Sequence, residues 1–154
     1  MRRIFALLAL LAASGLAYAA ADQAADGGGP EADVLNQALA LLSRGDSAGF
    51  DPLIELMPEA QRQQFALYVK SQSLNLKEQV QQHGEPLGSD LVEIQEVGCV
   101  LRRYYYITRY KDGWIRWRFS FYRPEAQWEF VTYQFHNEED GVFFELARSA
   151  PNQN

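Results

Sequence analysis

The sequence predicts an α+β domain: N-terminal helices packed on an antiparallel sheet of about four to five strands. Three observations predict it. From Glu31 to His83 apolar residues recur at helical spacing, and past Gly88 the period becomes strand-like for the rest of the chain. Within that second half Asp112-Gly113 stands between two runs of aromatic and β-branched residues, the strongest short-range hairpin signal a sequence offers.

The chain opens on Met1-Arg2-Arg3, a short basic start. An apolar run from Ile4 to Leu16 follows, and then Ala17-Tyr18-Ala19, with small residues where a signal peptidase reads. The run is too short for a stop-transfer helix. A secretory signal over residues 1–19 is expected, cut near Ala19 or two residues later, and with it a periplasmic or secreted protein; the other reading is a retained anchor. Residues 20–30, which include DQAADGGGP, cannot bury a face and read as a flexible lead. One domain over 31–148 and a polar tail over 149–154 complete the division.

In the first helix Leu35, Ala38, Leu39 and Leu42 fall at i, i+3, i+4 and i+7. Glu31 and Asp33 favour its start, Arg44 its end, and Gly45 can cap it. Asp51-Pro52 reads as a cap followed by proline at the first helical position, opening a short helix through Leu53, Ile54, Leu56 and Met57. Pro58 ends that helix and starts a third. Its stripe is Phe65, Tyr68, Val69, Gln72, Leu76 and Val80, with a place for a kink at Ser71-Gln72-Ser73 and a stop at Gly84 and Pro86.

The first strand is expected over Leu91 to Val97, and the hairpin from Cys99 to Arg123 follows. A two-residue turn at Asp112-Gly113 pairs Lys111 with Trp114. One face then reads Tyr104, Tyr106, Thr108, Tyr110 against Phe121, Phe119, Trp117, Ile115. The other reads Arg103, Tyr105, Ile107, Arg109 against Tyr122, Ser120, Arg118, Arg116, with Arg109 facing Arg116. Proline cannot donate within a central ladder, so Arg123 to Gln127 is a longer turn. Trp128 to His136 is a fourth strand, Asn137 to Gly141 a turn, and Val142 to Ala147 a closing strand with Val142, Phe144 and Leu146 on one face.

Without the first 19 of its 154 residues the chain keeps 12 basic against 20 acidic residues, a net −8. The hairpin stretch from Cys99 to Arg123 carries seven Lys/Arg and one Asp, so the remainder is −14. An acidic chain argues against nucleic acid as a partner. No other stretch approaches a membrane span, so none is expected after cleavage. Cys99 is the single cysteine, which forbids an intramolecular disulfide and leaves a buried small hydrophobe or an intermolecular bridge.

A leading helix ending in LLSRGDSAGF, a long helix closing with HGEPLG, and the stretch YKDGWIRWRFSFYRPEAQWEFVTYQF together resemble the nuclear transport factor 2-like superfamily, in particular its small exported bacterial members. The resemblance covers about Glu31 to Ala147 and is carried by the pattern of elements rather than by a motif. It implies a curved sheet wrapping the helices into a cone. A cystatin-like fold, with one helix on a similar sheet, is the competitor, and three leading helices count against it. The superfamily includes enzymes such as ketosteroid isomerase and scytalone dehydratase, along with members that only bind or assemble.

An enzyme here needs a general acid or base inside the cone, where an apolar pocket shifts its pKa into a useful range. The candidates are His136, near the end of its strand, and Tyr106, beside Tyr104 and Tyr110; each also reads as an ordinary strand-end or packing residue. No pair of acids alternates onto the aromatic face, so no isomerase or dehydratase residue is carried over. His83 and His136 lack a metal-site spacing, and with no nucleotide fingerprint no cofactor is expected. The arginine face, Arg103, Tyr105, Arg109, Trp114, Arg116, Arg118 and Tyr122, reads as a surface for an anionic ligand, an envelope protein or a second copy of the chain. Alternatively Glu93, Glu96 and Glu129 on neighbouring strands neutralise it. The expectation is an exported, non-catalytic binding or assembly domain. The alternative is a small-molecule isomerase, dehydratase or hydrolase using the cone, and the two differ in whether its interior is filled.

Overall fold

Helices come first and strands follow. α1 (Gly29–Leu42), α2 (Asp51–Glu55) and α3 (Glu59–Gln82) precede β1 (Pro86–Val97), β2 (Leu101–Tyr110), β3 (Gly113–Tyr122) and β4 (Glu129–His136) in the computed structural model, which describes residues 29–137. The strands pair in chain order as an antiparallel meander, forming a curved sheet that does not close. This is the expected α+β arrangement. The signal segment, most of the lead, the expected strand at Val142–Ala147 and the tail lie outside the described residues.

α1 buries Ala32, Leu35, Ala38, Leu39 and Leu42, the stripe its spacing predicts, and begins two residues before Glu31. Beyond it Asp46 accepts a hydrogen bond from the Ala48 N–H (3.0 Å) and caps a 3₁₀ turn over Ser47–Phe50 that no sequence signal announced. Asp51 is consequently already helical, and the position before α2 belongs to Phe50, which makes no side-chain cap bond; the expected Asp51 cap is absent, and the capping side chain of this stretch is Asp46, at the 3₁₀ turn. α3 runs unbroken through Ser71-Gln72-Ser73. There the Ser71 and Ser73 hydroxyls donate back to the carbonyls of Tyr68 and Lys70 at 2.7 and 2.8 Å, so they stay satisfied inside the helix.

The hairpin differs from expectation in one respect that matters. Its turn is Lys111-Asp112, Tyr110 pairs with Gly113, and Arg109 faces Trp114 rather than Arg116. The cause is tertiary. The Asp112 N–H donates to the His83 carbonyl and the Lys111 N–H to the Glu85 carbonyl, both at 3.0 Å, so the turn is docked on the exit of α3. Gly84 leaves α3 with φ +79°, the left-handed conformation glycine tolerates. A side chain there would also meet the Asp112 carboxylate, 2.8 Å from an added Cβ. Each residue keeps its expected face, because moving the turn by one residue moves each facing partner by two.

The core lies between the helices and one face of the sheet. Tyr104, Tyr106, Thr108 and Tyr110 of β2, Ile115, Trp117, Phe119 and Phe121 of β3, and Phe130 and Tyr133 of β4 are buried there with Leu39, Phe50, Leu53, Val69, Leu76 and Val80. Burying each large apolar side chain contributes about 1.5–3 kcal/mol. A further backbone bond joins the helices to the sheet, from the Phe130 N–H to the Leu56 carbonyl (3.0 Å).

Candidate functional site

The inner face of the sheet is where the resemblance places chemistry. Trp117, Phe119 and Phe121 are fully buried. The Trp117 and Phe119 rings lie 6.2 Å apart and 5° from parallel, Tyr106 meets Phe119 edge-on at 6.3 Å, and Phe121 meets Tyr104 and Phe130 at 5.6 and 5.5 Å. The one indole donor on this face is spent, Trp117 Nε1 donating to Thr108 Oγ1 at 2.9 Å, and Thr108 in turn bonds the Ser89 hydroxyl at 2.7 Å. Burial pushes the Tyr106 phenol up to about 12, with the neighbouring Tyr104 and Asp33 adding to the shift. It raises Tyr110 and Tyr133 further. These hydroxyls therefore stay protonated at neutral pH. His136 is not beside them. Its register partner is Arg116, which puts it on the opposite face, exposed at the strand end.

The outer face does collect the seven residues expected on it, with different neighbours. Arg103 pairs with Ser120, Tyr105 with Arg118, Ile107 with Arg116 and Arg109 with Trp114; Tyr122 faces Leu101. Tyr105 and Arg116 are buried, at 2 % and 5 % exposure, so neither is open to a partner from solution. The Tyr105 hydroxyl donates to Gln95 at 3.1 Å, and Arg118 donates to Gln134. Arg109 is paired with Asp90 at 2.8 Å, the two side chains being 57 % and 59 % exposed. Part of the expected neutralisation is thus present, but its acid on Arg109 is Asp90. Glu93 instead accepts from Gln95 at 3.1 Å.

Arg102, outside the seven residues read as the arginine face, is an ion-pair centre. Its guanidinium bonds Glu96 on β1, and its Nη1 lies 3.1 Å from Glu31 in the first turn of α1 and 3.2 Å from the Tyr104 hydroxyl. Tyr104 donates to the same Glu31 oxygen at 3.2 Å. The ring of Trp128 sits under this group, 4.4 Å from Arg102 Cζ and 4.8 Å from Arg123 Cζ. Every charge has a partner, and the cluster pins the start of α1 to the sheet.

A cleft of about 400 Å³ opens between α3 and β4, lined by Tyr68, Gln72, Asn75 and Gln79 on the helix, by Tyr133 to His136 on the strand and by Asn137 just past it. The helix positions fall at i, i+4, i+7 and i+11, a spacing that is visible in the sequence. Only the strand lying across them is not. Among the described residues no three His, Cys, Asp or Glu side chains gather as a metal site, and no helix is long and apolar enough to cross a membrane. Cys99 is exposed in the β1–β2 turn, not buried. No family model, curated protein or solved structure matches the chain.

Proposed function

We propose that this chain is an exported, non-catalytic binding or assembly domain built on the nuclear transport factor 2-like plan. The observation that carries this is the filled inner face: the volume a substrate needs is taken by Trp117, Phe119 and Phe121 in contact with Tyr104 and Tyr106. The hydroxyls on that face are held in their neutral form, which suits packing and not proton transfer at neutral pH. The order of helices and strands agrees with the superfamily's plan, and the basic start, apolar run and Ala17-Tyr18-Ala19 support export.

The test uses the protein recovered from the periplasm or medium, where its intact mass should begin near Ala20 or Asp22. It is melted with benzene and with indole, probes that enter dry apolar cavities. The same Tm with and without each probe is expected. A saturable rise in Tm would reveal room for a substrate inside the sheet and end the non-catalytic reading. Full-length chain confined to the cytoplasm would end the export reading.

A further inference from the structure

We infer that the cleft between α3 and β4 takes an uncharged, polyhydroxylated ligand, a neutral oligosaccharide. This rests on reading the chain as a binding domain, and names the class it binds. Tyr68, Asn75 and Gln79 each directly precede a buried core residue of α3, Val69, Leu76 and Val80, so the polar row runs along the rim of the core stripe, with Gln72 and Gln79 half-buried and Tyr68 and Asn75 exposed.

Among the described residues no side-chain hydrogen bond engages Gln72, Asn75 or Gln79. Each amide offers two donors and a carbonyl acceptor, the set that matches a pair of neighbouring hydroxyls, since each hydroxyl both donates and accepts. The facing wall is aromatic. The half-buried Phe135 ring lies 6.2 Å from the buried Tyr133 ring and 3° from parallel, with the exposed Tyr68 ring 6.3 Å from Tyr133. Phe135 and Tyr68 give apolar surface for the C–H face of a sugar ring, beside the amides that match its hydroxyls.

None of the described lining residues is Asp, Glu, Lys or Arg, and the one imidazole among them, His136, stands exposed at the strand end. The volume of about 400 Å³ falls within the range of small-molecule sites.

The experiment is isothermal titration of the exported protein with maltotriose, cellotriose and chitotriose. At least one is expected to bind saturably at millimolar concentration. The double variant Gln72→Ala, Asn75→Ala should bind it about tenfold more weakly, the effect of two lost hydrogen bonds. Gln79→Ala should show a smaller loss, and Lys70→Ala, on another side of α3, none. Silence of all three sugars overturns the proposal. So does tighter binding of a sulfated trisaccharide, which would move the ligand to the arginines, or equal binding of triglycine. If the sugars fail while benzene and indole also leave Tm unchanged, the cleft assignment falls alone; a rise in Tm with either probe removes the reading beneath it.

Discussion

At Gly113 the side chain is missing for a reason that its place beside Asp112 does not disclose. Its φ is not positive, so the turn does not require glycine for backbone freedom. A Cβ there would lie 2.5 Å from Nδ1 of His83 and 3.3 Å from two of its ring carbons, and it is this close approach that demands glycine. Gly113→Ala should therefore destabilise the fold by about 1–3 kcal/mol through overpacking. His83→Ala in the same chain should recover most of that loss, because the clash has a single partner. Urea unfolding of the two single variants and the double variant reads the coupling directly. Strictly additive effects would show that the His83 ring is not what excludes a side chain there.

Of the ion pairs that join secondary-structure elements, two have surroundings that give them unequal weight. Glu31 and Arg102 are 7 % and 19 % exposed, and they tie α1 to β2 across 71 positions of sequence. Arg102→Ala leaves the Glu31 carboxylate buried with only a phenol beside it and removes one of the two cations over the Trp128 ring, which should cost about 3–5 kcal/mol. Arg109→Gln breaks a pair whose side chains are both more than half exposed, joining neighbouring strands that already share a backbone ladder. Its effect should stay below about 1 kcal/mol. Because Asp90 already answers that charge, sulfate should raise the Tm of wild type and of Arg109→Gln equally when compared with chloride at matched ionic strength. A gain of several degrees confined to the wild type would show instead that the arginine face holds an anion.

Across the whole molecule the tyrosine-rich core sets the response to alkali. An unfolded chain releases tyrosine protons near pH 10. Tyr106 in the fold holds its proton to about 12, and Tyr104, Tyr110 and Tyr133 are also raised, in each case chiefly by burial. Between these values the unfolded state binds fewer protons than the native one, so stability falls as pH rises. The contribution is complete below pH 10 and is lost as pH climbs through the folded values. Urea midpoints should be level from pH 8 to about 9 and drop above 10, and Tyr106→Phe should lessen the slope near pH 11 by about one proton. A midpoint level up to pH 12 would mean that these phenols are accessible.

The order of helices and strands, the apolar stripe of α1 and the two faces of the hairpin were all legible in the chain, because each depends on a period of 3.6 or 2 that neighbouring residues carry themselves. Face assignment is robust for the same reason: Tyr104 and Trp117 point inward, and Arg103 and Arg118 outward, in the expected register and in the observed one. Which residue stands opposite which was not legible. The Asp112-Gly113 signal competes with two backbone hydrogen bonds from the turn to the exit of α3, and the tertiary bonds prevail, moving Arg109 from Arg116 to Trp114. The partners of Arg102 were equally hidden, since Glu31 reaches it only once α1 lies across the sheet. On α3 the spacing of Gln72, Asn75 and Gln79 could be read, but a row of amides becomes a cleft only where Tyr133 and Phe135 face it. Local periodicity thus decides which way a side chain points; what it meets there is decided by segments far away in sequence, through contacts whose energies no local pattern encodes.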